Sequence, residues 1–560
     1  MLNARTAEPT TVNRRMTSPR RALAWILMSV MFGMFGPVSC SESDDPPASE
    51  SSFMLPPYAF HPTDTTVVIS AMTASDLELR VRYGISSTQL DYATDPSRAK
   101  AGVRHETTLR GLAPGNLYDY EVQGRAVAGE SRGEWLPGVV KSFRTARMRG
   151  DLPWSFVVGG DDHSVVAYAR TACASEEHPE YGILAAFYQT QRNMLSRDAD
   201  FYLNAGDTSN NHGFLQPGCS FKGRDLGAGT IGFGGDGSAF SQASARWGRW
   251  IQNNRFVLTR LPLFLAMGNH DGEQSWGNAK GDCRYMRNSP SVGDTHVSSE
   301  AARFAMLPNP ANTYEGHSSG AYYSFVWGDA EIFVLDPHKF GVFGDGAPFD
   351  GSHSFPEDAG DWTLGSEQLA WLAARLRSSD RKWKLLISHH LLGGITGENC
   401  YHYGRGSVNA TDTGNAKGTF LGEQAEIQSL MEETGAQAFL LGHDHVALAA
   451  EKKRRNGSGS GVHYITVGML GFETPPSWAT DSYFVENSDI NGDGVADYEI
   501  GDIDHGTPRD HGSMEKGHFR ATVHDDHIEF CYYRSVRGDQ SSNNKLEFCY
   551  RIEAGSGREN

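Results

Sequence analysis

The sequence predicts a small antiparallel β-sandwich followed by a large α/β domain, and three observations carry that expectation. From about Tyr58 to Thr145, apolar and polar residues alternate in short runs. Beyond Arg149, apolar runs end instead in polar clusters. Between several of these later runs the apolar period lengthens to that of a helix, which is the signature of alternating strands and helices.

The first forty residues have the layout of an export signal. Arg14, Arg15, Arg20 and Arg21 precede an uncharged run from Ala22 to Val38, and Ser39-Cys40 follows. Arg20-Arg21 before Ala22-Leu23 resembles a twin-arginine signal, and Cys40 resembles the acylated cysteine of bacterial lipoproteins, with Pro37 where leucine is usual. The apolar run is also about as long as a short membrane span, so removal and retention both stay open. Residues 41–56, charged and proline-rich at their start, read as an exposed linker. The expected location is periplasmic, cell-surface or secreted, with membrane contact only through a lipid anchor at Cys40.

Composition narrows the function. There are 50 Lys+Arg against 68 Asp+Glu, a net charge of −18, so attraction to polyanions is weak and a nucleic-acid-coating role is disfavoured. With 39% hydrophobic and 11% aromatic residues, the chain is too apolar for a disordered protein. Apart from Cys40 there are Cys173, Cys219, Cys283, Cys400, Cys531 and Cys549, compatible with three disulfides in an oxidising compartment. Phe530-Cys531-Tyr532 and Phe548-Cys549-Tyr550 read as facing strands of a terminal hairpin, which brings that pair together.

Residues 57–146 are the sandwich, with strands at Thr66–Ser70, Leu77–Tyr83 and Leu117–Val122. The stretch from Thr108 to Tyr120 resembles the tyrosine corner of fibronectin type III domains, a module that usually acts as a spacer. Residues 150–560 are the α/β domain. Its strands are Phe156-Val157-Val158 before Gly160-Asp161, Phe201-Tyr202-Leu203 before Gly206-Asp207, and Leu263-Phe264-Leu265 before Gly268-Asn269. Leu184, Phe187, Tyr188 and Leu195 mark one helix. Leu369, Leu372 and Leu376 mark another, behind a cap at Ser366. Insertions are expected near 211–245 and 475–515.

Five motifs put hard oxygen or imidazole ligands just after apolar strands: Asp161-Asp162-His163, Gly206-Asp207, Gly268-Asn269-His270-Asp271, Ser388-His389-His390 and Gly442-His443-Asp444-His445. In open α/β sheets ligands collect beyond such strand ends. His443 and His445, two apart on an extended segment, project to one side. In this order the five motifs resemble the calcineurin-like metallophosphoesterase superfamily, and the leading sandwich makes the chain most similar to its purple acid phosphatase branch. The helix Leu364 to Leu372 is similar to one that such enzymes carry before the fourth motif.

The resemblance implies two packed sheets flanked by helices and two transition-metal ions, iron, manganese or zinc. It assigns Asp161, His163 and His445 to one ion and Asn269, His389 and His443 to the other, with Asp207 bridging. Two cations about 3.5–4 Å apart need a shared carboxylate, and their bridging hydroxide is the nucleophile. His270 would protonate the leaving group or stabilise the transition state, with Asp271 orienting it. On the residues alone the fourth ligand is His389 or His390; the resemblance implies His389. Asn210 stands where purple enzymes have a tyrosine ligand, so the purple absorption band is expected to be absent, and Leu391 follows His390 in place of the common proline.

A second metal signal runs from Asp489 to Glu499. Asp489, Asn491, Asp493 and Asp497 with Gly494 at position six resemble a calcium loop, although Glu499 falls at eleven; a structural calcium and a solvated acidic loop are both open. The function implied is an exported hydrolase of phosphomonoesters or phosphodiesters, acting on a small phosphorylated substrate; a nucleotidase or cyclic nucleotide phosphodiesterase fits the same class. The other class is a surface-displayed, non-catalytic binding protein.

Overall fold

The computed structural model describes residues 52–85, 90–128, 131–165, 179–209, 220–221, 224–225, 239–271, 295–308, 321–337, 363–390, 423–443, 445–452, 461–471, 499–500, 512–513, 515–536 and 541–554. The export signal with Cys40, Asp489, Asn491, Asp493 and Asp497 of the calcium loop, Cys173, Cys219, Cys283, Cys400, Asn210, Leu391 and Asp444 lie outside the described residues. Among the described residues no helix is long and apolar enough to cross a membrane.

The chain begins with β1 (Phe53–Phe60), β2 (Thr66–Thr73), β3 (Leu77–Gly84), β4 (Arg104–Arg110), β5 (Leu117–Ala128) and β6 (Lys141–Arg144). β1, β2 and β4 form one layer, and β3, β5 and β6 form the other. Val67, Ile69 and Leu109 from the first meet Leu79, Val81, Tyr120, Val122 and Phe143 from the second in one apolar core. The alternation that predicted these strands is the alternation of buried and partly exposed residues on β3. At the expected corner the Tyr118 hydroxyl accepts a hydrogen bond from the Ala113 N–H at 2.8 Å.

Three boundaries differ from the sequence expectation. The strand β1 begins at Phe53, inside the segment read as an exposed linker, because Phe53-Met54-Leu55 pairs with the end of β2. Residues from Ala239 onward, placed in an insertion, form a helix. Glu499–Ile500 and Gly512–Ser513, also placed in an insertion, pair with the strand Ala447–Lys452 of the α/β domain.

The α/β domain supplies β7 (Trp154–Gly159), β8 (Tyr202–Asn204) and β9 (Leu263–Leu265). Then come β10 (Tyr323–Trp327), β11 (Ala330–Val334), β12 (Trp383–Ser388), β13 (Ala438–Leu441), β14 (Ala447–Lys452) and β15 (Val462–Val467). The last three are β16 (Gly517–Val523), β17 (His527–Arg534) and β18 (Leu546–Glu553). Its helices are α1 (Pro179–Leu195), α2 (Ala239–Asn253), α3 (Thr295–Met306), α4 (Gly365–Ser378) and α5 (Glu423–Thr434). One sheet runs β18-β17-β16-β7-β8-β9-β1-β2-β4, so the sandwich's first layer continues the catalytic sheet through a parallel pairing of Phe60 with Leu263. The other runs β10-β11-β12-β13-β15-β14.

Side-chain alternation divides the interior into three layers. Phe156, Val158 and Leu203 of the first sheet face Ile332, Val334, Leu385, Ile387 and Leu440 of the second across a shared core. The opposite faces are covered by helices. Val157 and Tyr202 meet Phe187 of α1 and Trp247, Trp250 and Ile251 of α2, while Phe333, Leu386 and Phe439 meet Trp371 and Leu372 of α4 and Ile427 of α5. Strands buried on both faces read as continuous apolar runs, which is why β7, β8 and β9 stood out in the sequence.

Helix α4 starts two residues earlier than expected. Ser366 lies inside the helix, not at its cap; the Leu364 N–H donates to Glu423 Oε2 at 2.7 Å and the Gly365 N–H to Thr363 Oγ1 at 3.2 Å. A distant carboxylate thus holds the N–H of the cap residue itself, and no serine caps the first turn. The two sheets and the sandwich are tied at Asp200, 4% exposed. Arg144 Nε lies 2.9 Å and Arg147 Nε 2.6 Å from its oxygens, and Trp327 Nε1 donates at 3.1 Å. Cys531 and Cys549 face each other across β17 and β18 and are disulfide-bonded, as the hairpin reading expected.

His518 on β16 is fully buried beside Tyr533, and burial, then Arg197, pushes its pKa from 6.5 down to about 3. Unfolded, this histidine takes up a proton near pH 6.5 that the folded chain refuses, so its contribution to stability is lost as the pH falls from 6.5 towards 3, at about 1.4 kcal/mol per pH unit. Urea unfolding at pH 7 and pH 5 is expected to show a shallower loss for His518→Phe than for the native chain. Equal losses would assign the acid sensitivity elsewhere.

Candidate metal centre

Each motif occupies the carboxyl end of its strand, and all five converge. Asp161 and His163 follow β7, Asp207 follows β8, Asn269 to Asp271 form a single 3-10 turn after β9, His389 follows β12, and His443 and His445 follow β13. These ends meet because β7, β8 and β9 are mutually parallel and so are β12, β13 and β15.

Among the described residues, ligand atoms gather within 4.8 Å in overlapping groups: Asp161, His163 and His445; His163, Asp207 and His270; and Asp207, His389 and His443. His163 Nε2 and His445 Nε2 are 3.3 Å apart, and His445 Nε2 lies 3.5 Å from Asp161 Oδ1. Asn269 Oδ1 is 3.0 Å from both His389 Nε2 and His443 Nδ1. Asp207 stands between. Its Oδ1 is 3.2 Å from His389 Nε2, while its Oδ2 is 3.7 Å from His163 Nε2 and 3.8 Å from His270 Nε2.

His389, not His390, supplies the ring in this cluster. Its Nδ1 lies 2.8 Å from the Ala205 carbonyl, which fixes the tautomer and leaves the Nε2 lone pair for the centre. His390 is fully buried and packs its ring against His389 and His443, with centroids 5.1 and 4.5 Å away. The His270 ring is 30% exposed, more open than His163, His389 or His445, and its backbone N–H donates to Asp207 Oδ1 at 2.8 Å.

Asp271 does a different job from the expected orientation of His270. Its Oδ1 accepts from the Thr208 and Ser209 N–H groups at 2.8 and 2.7 Å and from both hydroxyls, and its Oδ2 accepts from the Gly268 N–H at 2.9 Å. It therefore braces the loop that carries Asp207. Asp162, given no role by the sequence reading, is also fully buried; its Oδ1 accepts from Ser164 N–H at 2.9 Å and its Oδ2 from Trp250 Nε1 at 2.8 Å. The doubled acid of Asp161-Asp162-His163 was a visible signal. The sequence held none for Trp250, whose place is set by the packing of α2.

The backbone is strained where the ligands sit. Asp161, His163, Asp207, His443 and His445 have φ of 53, 43, 56, 72 and 58°, the left-handed region that residues with a Cβ rarely enter. Glycines supply the clearance. A Cβ on Gly268 would lie 2.2 Å from Asp207 Oδ1, and one on Gly442 would lie 2.8 Å from His389 Nδ1.

Burial opposes every charge here, yet Asp207 and His389 favour each other's charged forms, and a bound cation would take the place of the His389 Nε2 proton and use its lone pair. The Asp207 carboxyl lies well below the usual range because His389 and His270 face it, and His389 is pushed up to about 9 by Asp207 and Asp161. Carboxylate and carbonyl oxygens with imidazole nitrogens, and no thiolate, are a donor set that fits divalent or trivalent transition metals.

Residues 250–467 match the family model of the PhoD-like phosphatases, a segment that holds Asn269, His270, His389, His443 and His445. The chain is related to the metallophosphoesterases. A solved structure of PhoD shares 13% identity over 92% of this chain and 95% of that one, with a TM-score of 0.57. The purple acid phosphatase PPD1 from yellow lupin (Lupinus luteus) seeds shares 14% over 89% and 74%, with a TM-score of 0.53. At such identities these structures speak for the fold. No curated protein matches the sequence. The family match and the donor set together make this metallophosphoesterase relative a metal-dependent hydrolase of phosphoric esters.

Asp271→Asn places an amide N–H against donors that now meet an acceptor. It is expected to lower stability by about 2–3 kcal/mol in urea unfolding, since a buried group is left unmatched. A cost under about 0.5 kcal/mol, typical of an unconstrained surface site, would remove Asp271 as a brace.

Proposed function

We propose that the protein is an exported hydrolase of phosphomonoesters or phosphodiesters that works with two transition-metal ions. The observation that carries this reading is the position of Asp207, with one oxygen towards His389 and the other towards His163 and His270. Asp161, His163 and His445 would hold one ion and Asn269, His389 and His443 the other, with Asp207 shared. When bound, such ions polarise phosphoryl oxygens and acidify water into a nucleophile.

The chain's own groups supply the rest. The Ala205 carbonyl keeps the His389 Nε2 lone pair aimed inward, and the buried rims of Asp161 and Asp207 exclude bulk water. His270, anchored by its N–H to Asp207 and open on its outer side, is placed to give a proton to the departing oxygen. Export is proposed from Arg20-Arg21, the run 22–38 and Cys40, and the front sandwich is proposed as a fibronectin type III-like spacer. The match of residues 250–467 to the PhoD-like phosphatases supports this class.

The test is hydrolysis of p-nitrophenyl phosphate and bis-p-nitrophenyl phosphate before and after chelation and re-addition of manganese, iron or zinc. Turnover is expected to vanish on chelation and return with metal, and the ratio of the two rates separates monoesterase from diesterase. Because partners outside the ligand set alone are worth 10–100-fold, Asp207→Asn is expected to lose more than about 100-fold. Undiminished turnover in the chelated protein or in Asp207→Asn would sink the proposal.

A further inference from the structure

The loop from Asp161 to Ser164 carries two of the assigned ligands, and both are in left-handed backbone, at φ 53° and 43°. A residue with a Cβ stays in that region only when its surroundings over-determine it. Asp162, between them, is where that determination is applied. Its Oδ1 closes a short turn on the Ser164 N–H, and its Oδ2 takes the indole N–H of Trp250 at 2.8 Å. One turn further along α2, Asn253 Nδ2 reaches the Ser164 carbonyl and hydroxyl, each at 3.3 Å. Asp162, Ser164 and Trp250 are fully buried and Asn253 is 1% exposed, so water cannot replace any of these bonds.

We infer that Trp250, acting through Asp162, is a positioning residue for the metal ligands Asp161 and His163, and that helix α2 holds this side of the centre in register. Trp250 touches no reacting group. It fixes the turn whose two ends must aim a carboxylate and an imidazole at one point. The inference rests on the metal reading above, and α2 itself supplies the control. Trp247, one turn earlier, is equally buried in the same core and packs edge-to-face on Trp250, with centroids 5.8 Å apart, yet among the described residues its indole N–H has no hydrogen-bond partner. Replacing either indole by phenyl makes the same change in size; only one replacement removes the bond to Asp162.

The experiment titrates Mn2+ into the metal-stripped full chain by calorimetry, for the native protein, Trp250→Phe and Trp247→Phe, with thermal unfolding recorded alongside. Trp250→Phe is expected to weaken Mn2+ binding at one site by about tenfold or more, the usual effect of removing an outer partner, while Trp247→Phe stays within about twofold of native even where its unfolding temperature falls as far. Asp162→Asn, which must turn an amide donor towards one of two donors, gives the same loss and stands in if Trp250→Phe does not fold. Native-like binding by Trp250→Phe, or an equal loss in Trp247→Phe, overturns the inference and leaves the metal reading intact. Absence of Mn2+ uptake by the native chain overturns both.

Discussion

Crowding of carboxyl groups out of contact with water is the constraint around which the rest of the molecule is arranged. Asp161, Asp162, Asp207 and Asp271 are each at most 1% exposed, and they lie on three adjoining loops. Buried carboxylates persist only with compensation, and each of the four is compensated differently. Asp271 has backbone N–H groups and hydroxyls, Asp162 has an indole and a backbone N–H, Asp207 has imidazoles, and Asp161 takes the His443 N–H at 3.1 Å. Only Asp161 and Asp207 turn towards the common centre, and there the surrounding imidazoles invite a cation.

Compensation on that scale requires loops that approach closely, which the two-sheet architecture provides. Parallel strands deliver loop after loop to one edge, and the shared core between the sheets fixes how near those edges come. Gly268 and Gly442 then remove the last side chains that would keep the loops apart. The strained φ values of the ligands are a result: the backbone accepts an unfavourable conformation so that five side chains can point inward from a narrow rim.

The strands of the catalytic sheets and their terminal polar clusters were legible because strands buried on both faces leave unbroken apolar runs. The cluster of candidate ligands was legible for the same reason, since each of its residues sits directly after such a run. What escaped were relations across distance. Ser366 has the residue type of a cap, but Glu423 reaches the helix start from another element. Asp271 sits beside His270 in sequence, yet its carboxylate turns to Thr208 and Ser209. The sandwich read as a separate module, yet the pairing of Phe60 with Leu263 continues its first layer into the sheet of the α/β domain.

That nine-stranded sheet also sets an order of events for a chain made from its amino end. β7, which carries Asp161 and His163, is covered on one side by β8 and on the other by β16, whose Arg520 bonds Ser155 from 365 residues further along. Until that distant strand is synthesised, β7 has an open edge, and the loop of Asp161 and His163 hangs from it. The candidate metal centre is therefore among the last parts of the molecule to close, and a ribosome-bound chain lacking its final 50 residues or so would hold all of the candidate ligands without the strand that completes this sheet.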